Sequence, residues 1–130
     1  MSPEKTELIQ GWYNKGDEDI LAAETLLEAH LLLYDIIAFH AQQGAEKYLK
    51  AFITYAEILP PKIHDLRELI DIASGFDSSF EDTREAESLS KYAVRSRYPD
   101  SFEIDNQDEA MQILNMAKAV RDFVKSKINI

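Results

Sequence analysis

The feature that most constrains this chain is how rarely its helical patterns are interrupted. Gly and Pro occur four times each. Pro60-Pro61, Ser74-Gly75 and Pro99 stand where apolar repeats of three to four residues stop, as helix breakers should. Between them the periodicity predicts helices over 12–30, 35–57, 64–74, 82–96 and 107–128. No stretch alternates apolar and polar residues long enough to read as a strand. Short turns and one dominant apolar stripe per helix predict an all-α fold. The expected form is an antiparallel up-and-down four-helix bundle, with the short third helix as an additional element closing one end. No repeat or linker interrupts residues 1–130, which read as a single domain of ordinary size.

Charge narrows the functions open to such a bundle. Fourteen bases against 24 acids leave a net charge of −10, a poor match to a long nucleic acid, whose binding requires phosphates to be neutralised. The negative charge concentrates in residues 1–35, with eight acids and two bases, and in residues 77–109, with ten acids and four bases. No apolar run exceeds four residues, so neither a membrane span nor a signal segment is expected. The absence of cysteine excludes disulfides and thiolate metal sites and fits a cytoplasmic location. The histidines, at positions 30, 40 and 64, lack paired ligand spacing on one helix, so no metal is expected. No Gly-rich phosphate loop is present, and no cofactor is expected.

Several polar residues sit oddly on these helices. In the first, Trp12, Gly16, Ile20, Ala23, Leu26, Leu27 and His30 share an arc with Asp19, at about 100° per residue. A carboxylate there needs a cationic or donor partner. Gly16 and Ala23 are small enough to admit a neighbouring helix. In the second helix Phe39, Ala45, Leu49, Phe52, Ile53 and Ala56 form the apolar arc, with Gln42 and Glu46 at its edge. His40, Gln43, Lys47 and Lys50 align beside it as a stripe built mostly of donors. That stripe reads either as a solvated face or as an anion site. Glu46 and Lys50 form an i,i+4 pair. His64-Asp65 opens the third helix, where either side chain suits capping and a His beside an Asp also suits a general base. The fourth helix packs through Ala86, Leu89, Tyr92 and Ala93 and runs into Arg95-Ser96-Arg97-Tyr98-Pro99-Asp100. Arg97 there could fork onto Glu46, Asp19 or a phosphate.

The order of these segments resembles the HEPN family (higher eukaryotes and prokaryotes nucleotide-binding). The resemblance is carried by Trp12 with Glu18-Asp19-Ile20 and Ala22-Ala23, then Ala41-Gln42-Gln43, Ala45-Glu46-Lys47 and Lys50-Ala51. It continues in His64-Asp65-Leu66, Leu69-Ile70 and Arg97-Tyr98-Pro99-Asp100. It implies a bundle of four longer helices with a short extra one, commonly a homodimer. It also implies a frequent association with a minimal nucleotidyltransferase, including toxin–antitoxin pairs, and a proposed role in binding nucleotides. The family's polar pattern falls on Asp19, Gln43, Glu46, Lys47, Lys50, His64, Arg97 and Tyr98. Many members are metal-independent ribonucleases with an Arg, four to six residues, then a His. Here every arginine follows every histidine, so that motif is absent at any spacing.

Three functions follow as expectations. In the first the chain is a non-enzymatic partner of a nucleotidyltransferase, offering acidic surface to a basic protein. In the second it binds a small nucleotide at Lys47, Lys50 and Arg97, with Tyr98 stacking on the base. In the third it is a degenerate ribonuclease. The first two are compatible in one protein.

Overall fold

The computed structural model describes residues 1–95 and 104–130. The chain begins with α1 (Pro3–Glu28), α2 (Tyr34–Tyr55) and α3 (Leu66–Phe76), followed by a 3₁₀ helix, η1 (Ser78–Lys91). It ends with α4 (Tyr92–Arg95) and α5 (Gln107–Lys127). No strand occurs among the described residues.

Two of the expected boundaries need correction. Helix α1 starts at Pro3 rather than near residue 12. The Ser2 hydroxyl accepts from the Lys5 amide, Pro3 occupies the first turn and Glu4 faces the positive end of the dipole, all standard start signals. At its other end the helix stops at Glu28, and His30 and Leu32 adopt left-handed φ values of 54° and 59°. His30 is exposed instead of joining the buried stripe.

The second correction concerns the expected α-helix over 82–96. That stretch is mostly η1, whose buried residues are Phe80, Thr83, Ala86 and Leu89. A spacing of three places residues on one face of a 3₁₀ helix, at three residues per turn. The Thr83 and Ser88 hydroxyls reinforce it by donating to the carbonyls of Phe80 and Glu85, three residues back.

Cross-helix pairs give the direction of each element. Trp12 meets Thr54 and Asp19 meets His40, so α1 and α2 are antiparallel. Asp17 pairs with Lys125 and Glu24 with Lys118, so α5 runs against α1. Phe80 meets Phe123 edge to face and Ser88 reaches Met116, so η1 runs against α5. The four-membered bundle is therefore α1, α2, η1 with α4, and α5, with α3 as the short extra helix.

Helix α2 is the hub. It packs against every other helical element, and residues as different as Ala38, Gly44, Tyr48 and Ile53 are buried on it. A helix buried over so much of its circumference has little solvated face left. Small residues bring α1 close. A Cβ on Gly16 would lie 2.9 Å from the Tyr48 ring, and one on Gly44 would lie 3.1 Å from Ile20. Below that crossing, Phe52 stacks on Phe80 at 4.2 Å between ring centroids, which fastens η1 to the core.

Candidate functional site

The crossing of α1 over α2 carries the polar residues singled out from the sequence. On α2 they occupy two adjacent rows at i,i+4 spacing, Gln42–Glu46–Lys50–Thr54 and Gln43–Lys47, so each residue stands one turn above the next. The rows are tied together. The Lys47 ammonium donates to Gln43 Oε1 at 3.1 Å, and Gln43 Nε2 donates to Gln42 Oε1 at 2.7 Å. Gln42 Nε2 in turn donates to Glu46 Oε1 at 3.3 Å and to the His64 carbonyl at 3.2 Å.

At the inner end, Glu46 is 1% exposed and receives three donors. Besides Gln42 these are Lys50 Nζ at 3.1 Å on Oε2 and His64 Nδ1 at 2.7 Å on Oε1. Lys50 is itself buried, with its ammonium 5.8 Å from the centre of the Trp12 ring. Trp12 Nε1 donates to Thr54 Oγ1, which donates to the Lys50 carbonyl. Removing either member of a buried ion pair leaves an uncompensated charge, which costs about 3–5 kcal/mol.

At the outer end, Asp19 from α1 meets His40 Nδ1 at 2.9 Å and Lys47 Nζ at 4.0 Å. The expected need for a cationic or donor partner at Asp19 is met by these two residues of α2. These side chains are partly open to water, and pairs of that kind contribute less than buried ones.

The structure thus links five expected residues, Gln43, Glu46, Lys47, Lys50 and His64, in one hydrogen-bonded chain through Gln42, and Asp19 joins it by the 4.0 Å ion pair with Lys47. Arg97 and Tyr98 lie outside the described residues, and so does the expected fork from Arg97 to Glu46 or Asp19. Two expectations are corrected. The stripe of donors is not a solvated face, because α1 lies across it and Lys50 is buried. Asp65 alone caps α3, accepting from the Arg67 amide at 3.0 Å, while His64 turns to Glu46. Gln42, the link between the rows, was visible only as a polar residue at the edge of an apolar arc.

The chemistry open to this cluster is limited. With Nδ1 facing a carboxylate, the neutral form of each imidazole carries its lone pair on Nε2, and His64 is the more accessible at 61%. The nearby phenols cannot exchange protons near neutral pH. Burial and then the Asp17 carboxylate push the Tyr13 phenol up to about 12. Burial, and then the hydrogen bond to Asp17 at 2.6 Å, push Tyr48 up further. Among the described residues no group of three His, Cys, Asp or Glu side chains is placed to hold a metal ion. No helix among them is long and apolar enough to cross a membrane.

Comparison with known proteins adds a family and a fold. The model of the HEPN domain matches residues 9–127. No curated protein matches the chain. Among solved structures, TT1696 from Thermus thermophilus is 25% identical, with a TM-score of 0.76, covering 92% of this chain and 98% of that one. ST0689, described as an archaeal HEPN homologue, is 21% identical with a TM-score of 0.72, covering 93% and 98%. At that identity the second likeness speaks to the fold.

Proposed function

The chain belongs to the HEPN family, and from that premise we propose that it is a non-catalytic, cytoplasmic partner subunit of a nucleotidyltransferase-type module. One observation carries this reading. The cations of α2 that would serve a phosphate are engaged by side chains of the fold: Lys50 by the Glu46 carboxylate in the interior, and Lys47 by the Gln43 amide oxygen, with the Asp19 carboxylate at 4.0 Å. A nucleotide would have to break a buried pair to reach Lys50, at a cost its own contacts would have to offset. The ribonuclease reading lacks its Arg-to-His motif in the sequence. What the domain offers a protein is acidic surface, consistent with its net charge of −10, which suits a basic partner and speeds its encounter.

The test is the mass of the chain by light scattering, alone and with an added minimal nucleotidyltransferase; a neighbouring gene that encodes no such enzyme would remove the main support for the reading. The expected result is a stable complex, with the chain alone at the mass of a homodimer. Calorimetry with ATP and GTP is the complement. Binding at micromolar ligand, lost on Lys47→Ala, would replace this reading with the nucleotide-binding one. The nucleotide reading retains a specific foothold, because Lys47 stands 4.0 Å from Asp19 and is partly open to water. RNA cleavage that disappears with His64→Ala would instead restore the enzyme.

A further inference from the structure

Helices α1 and α5 leave a groove of about 430 Å³ between the end of α1 and the start of α5. Its floor is apolar, formed by Leu27, Met111 and Leu114. Leu114 is buried there, whereas Met111 stands 42% exposed over it. One end is closed by the His30 ring, whose Nδ1 lies 3.2 Å from Gln107 Oε1.

The rim is acidic on the α1 side. Glu24 is paired with Lys118 at 2.7 Å, but Glu28 is exposed and forms no ion pair among the described residues. The last turn of α1 contains no base, so Glu28 adds its charge to the negative end of the helix dipole instead of being offset by a cation. An apolar strip between two helices, edged by an uncompensated negative helix end, has the form of a groove that accepts a helix. The charge selects the occupant. A second copy of this chain carries a net charge of −10, and the bases of its α5 are already paired with its own carboxylates, whereas a basic helix would complete the rim.

We infer that the groove between α1 and α5 docks a Lys- or Arg-bearing amphipathic helix of a partner protein, with its apolar face on Leu27, Met111 and Leu114 and a cation at Glu28. This rests on the partner-subunit reading and assigns that partner its contact surface.

The probe is a 15-residue Leu/Lys amphipathic peptide, with a Leu/Glu counterpart as control, titrated into isotope-labelled protein and followed by amide chemical shifts. The expected result is that the Lys peptide perturbs Leu27, Met111 and Leu114 first and the Glu peptide does not. Glu28→Lys should weaken binding at least fivefold and Met111→Asp about tenfold. Both residues are exposed, so circular dichroism should show both variants folded. Perturbations centred elsewhere, or unchanged affinity in both variants, would overturn the inference. So would a self-association that Met111→Asp abolishes, because the groove would then belong to a second copy. The two readings fail separately. A nucleotidyltransferase complex whose mass survives Glu28→Lys and Met111→Asp removes the groove and keeps the partner. A peptide that binds the groove while no nucleotidyltransferase does removes the partner and keeps the groove.

Discussion

The two ends of the polar chain on α2 use the same chemistry in different surroundings. Around Glu46 a carboxylate, a lysine and a histidine meet where Glu46 and Lys50 are buried. Around Asp19 a carboxylate, a lysine and a histidine meet again, but with water at the edge. Between Glu46 and Lys50 every donor and acceptor is needed, because an unmade bond there would lack solvent to replace it, while His64 meets this pair from the water-exposed side. At the outer end water can replace any one of the partners. The inner end therefore acts chiefly as structure, holding the segment before α3 against α2, and the outer end is the one left free to respond to its surroundings.

The sharpest way to break this contrast is Glu46→Gln. It should cost about 3–5 kcal/mol, since Lys50 would remain buried without its counter-charge. Urea denaturation checks it, and a loss below about 1 kcal/mol would erase the difference between the ends. Next in size is Gly16→Ala at the crossing that both ends share. Its methyl would press on the Tyr48 ring at 2.9 Å, and overpacking of this kind costs about 1–3 kcal/mol, read as a lower urea midpoint. Asp19→Asn should cost only about 1 kcal/mol, shrinking further in high salt. If it instead matched Glu46→Gln, the outer end would be structural too.

A smaller effect should appear with pH. The Tyr13 phenol is held up at about 12 in the fold, chiefly by burial, against about 10 in an unfolded chain. A raised folded value means stability is fully present below pH 10 and falls as pH rises toward 12. Absorbance near 295 nm should show Tyr13 and Tyr48 ionising later than the other tyrosines and together with loss of helical signal. The acid side has the opposite sign. Hydrogen bonds from Ser79 hold the Asp77 carboxyl below its usual range, so its contribution is present above the unfolded value and lost as pH falls through the folded one. Asp77→Asn should flatten that acid limb in a pH series of urea midpoints.

How much of this could be read in advance differs from element to element. The i,i+4 pairing of Glu46 with Lys50, and the need of Asp19 for a partner, follow from helical spacing and the cost of burying charge, both local properties. The closeness of α1 at Gly16 was legible for the same reason, since a missing side chain marks where another helix can approach. The central position of α2 was not legible. Its stripe of donors looks like a solvated face until another helix lies across it, and that depends on packing between elements far apart in sequence. Two misread elements did leave traces. Ser2-Pro3-Glu4 is a helix start, but it stands well ahead of the apolar stripe that begins near Trp12. The three-residue spacing of Ala86, Leu89 and Tyr92 separates from an α-helical pattern only when Phe80 and Thr83 are added. Among the site residues, Gln42 was missed as a link because a buried amide has no signature apart from its partners.

A double-mutant cycle on Glu46 and Lys50, read by urea denaturation, tests the central claim most directly. Glu46→Gln and Lys50→Met should each destabilise strongly, and the double variant should lose clearly less than the sum of the two, with coupling of about 2 kcal/mol or more. Additive losses would contradict the claim that this pair is a buried structural contact and would leave Lys50 free to meet a ligand.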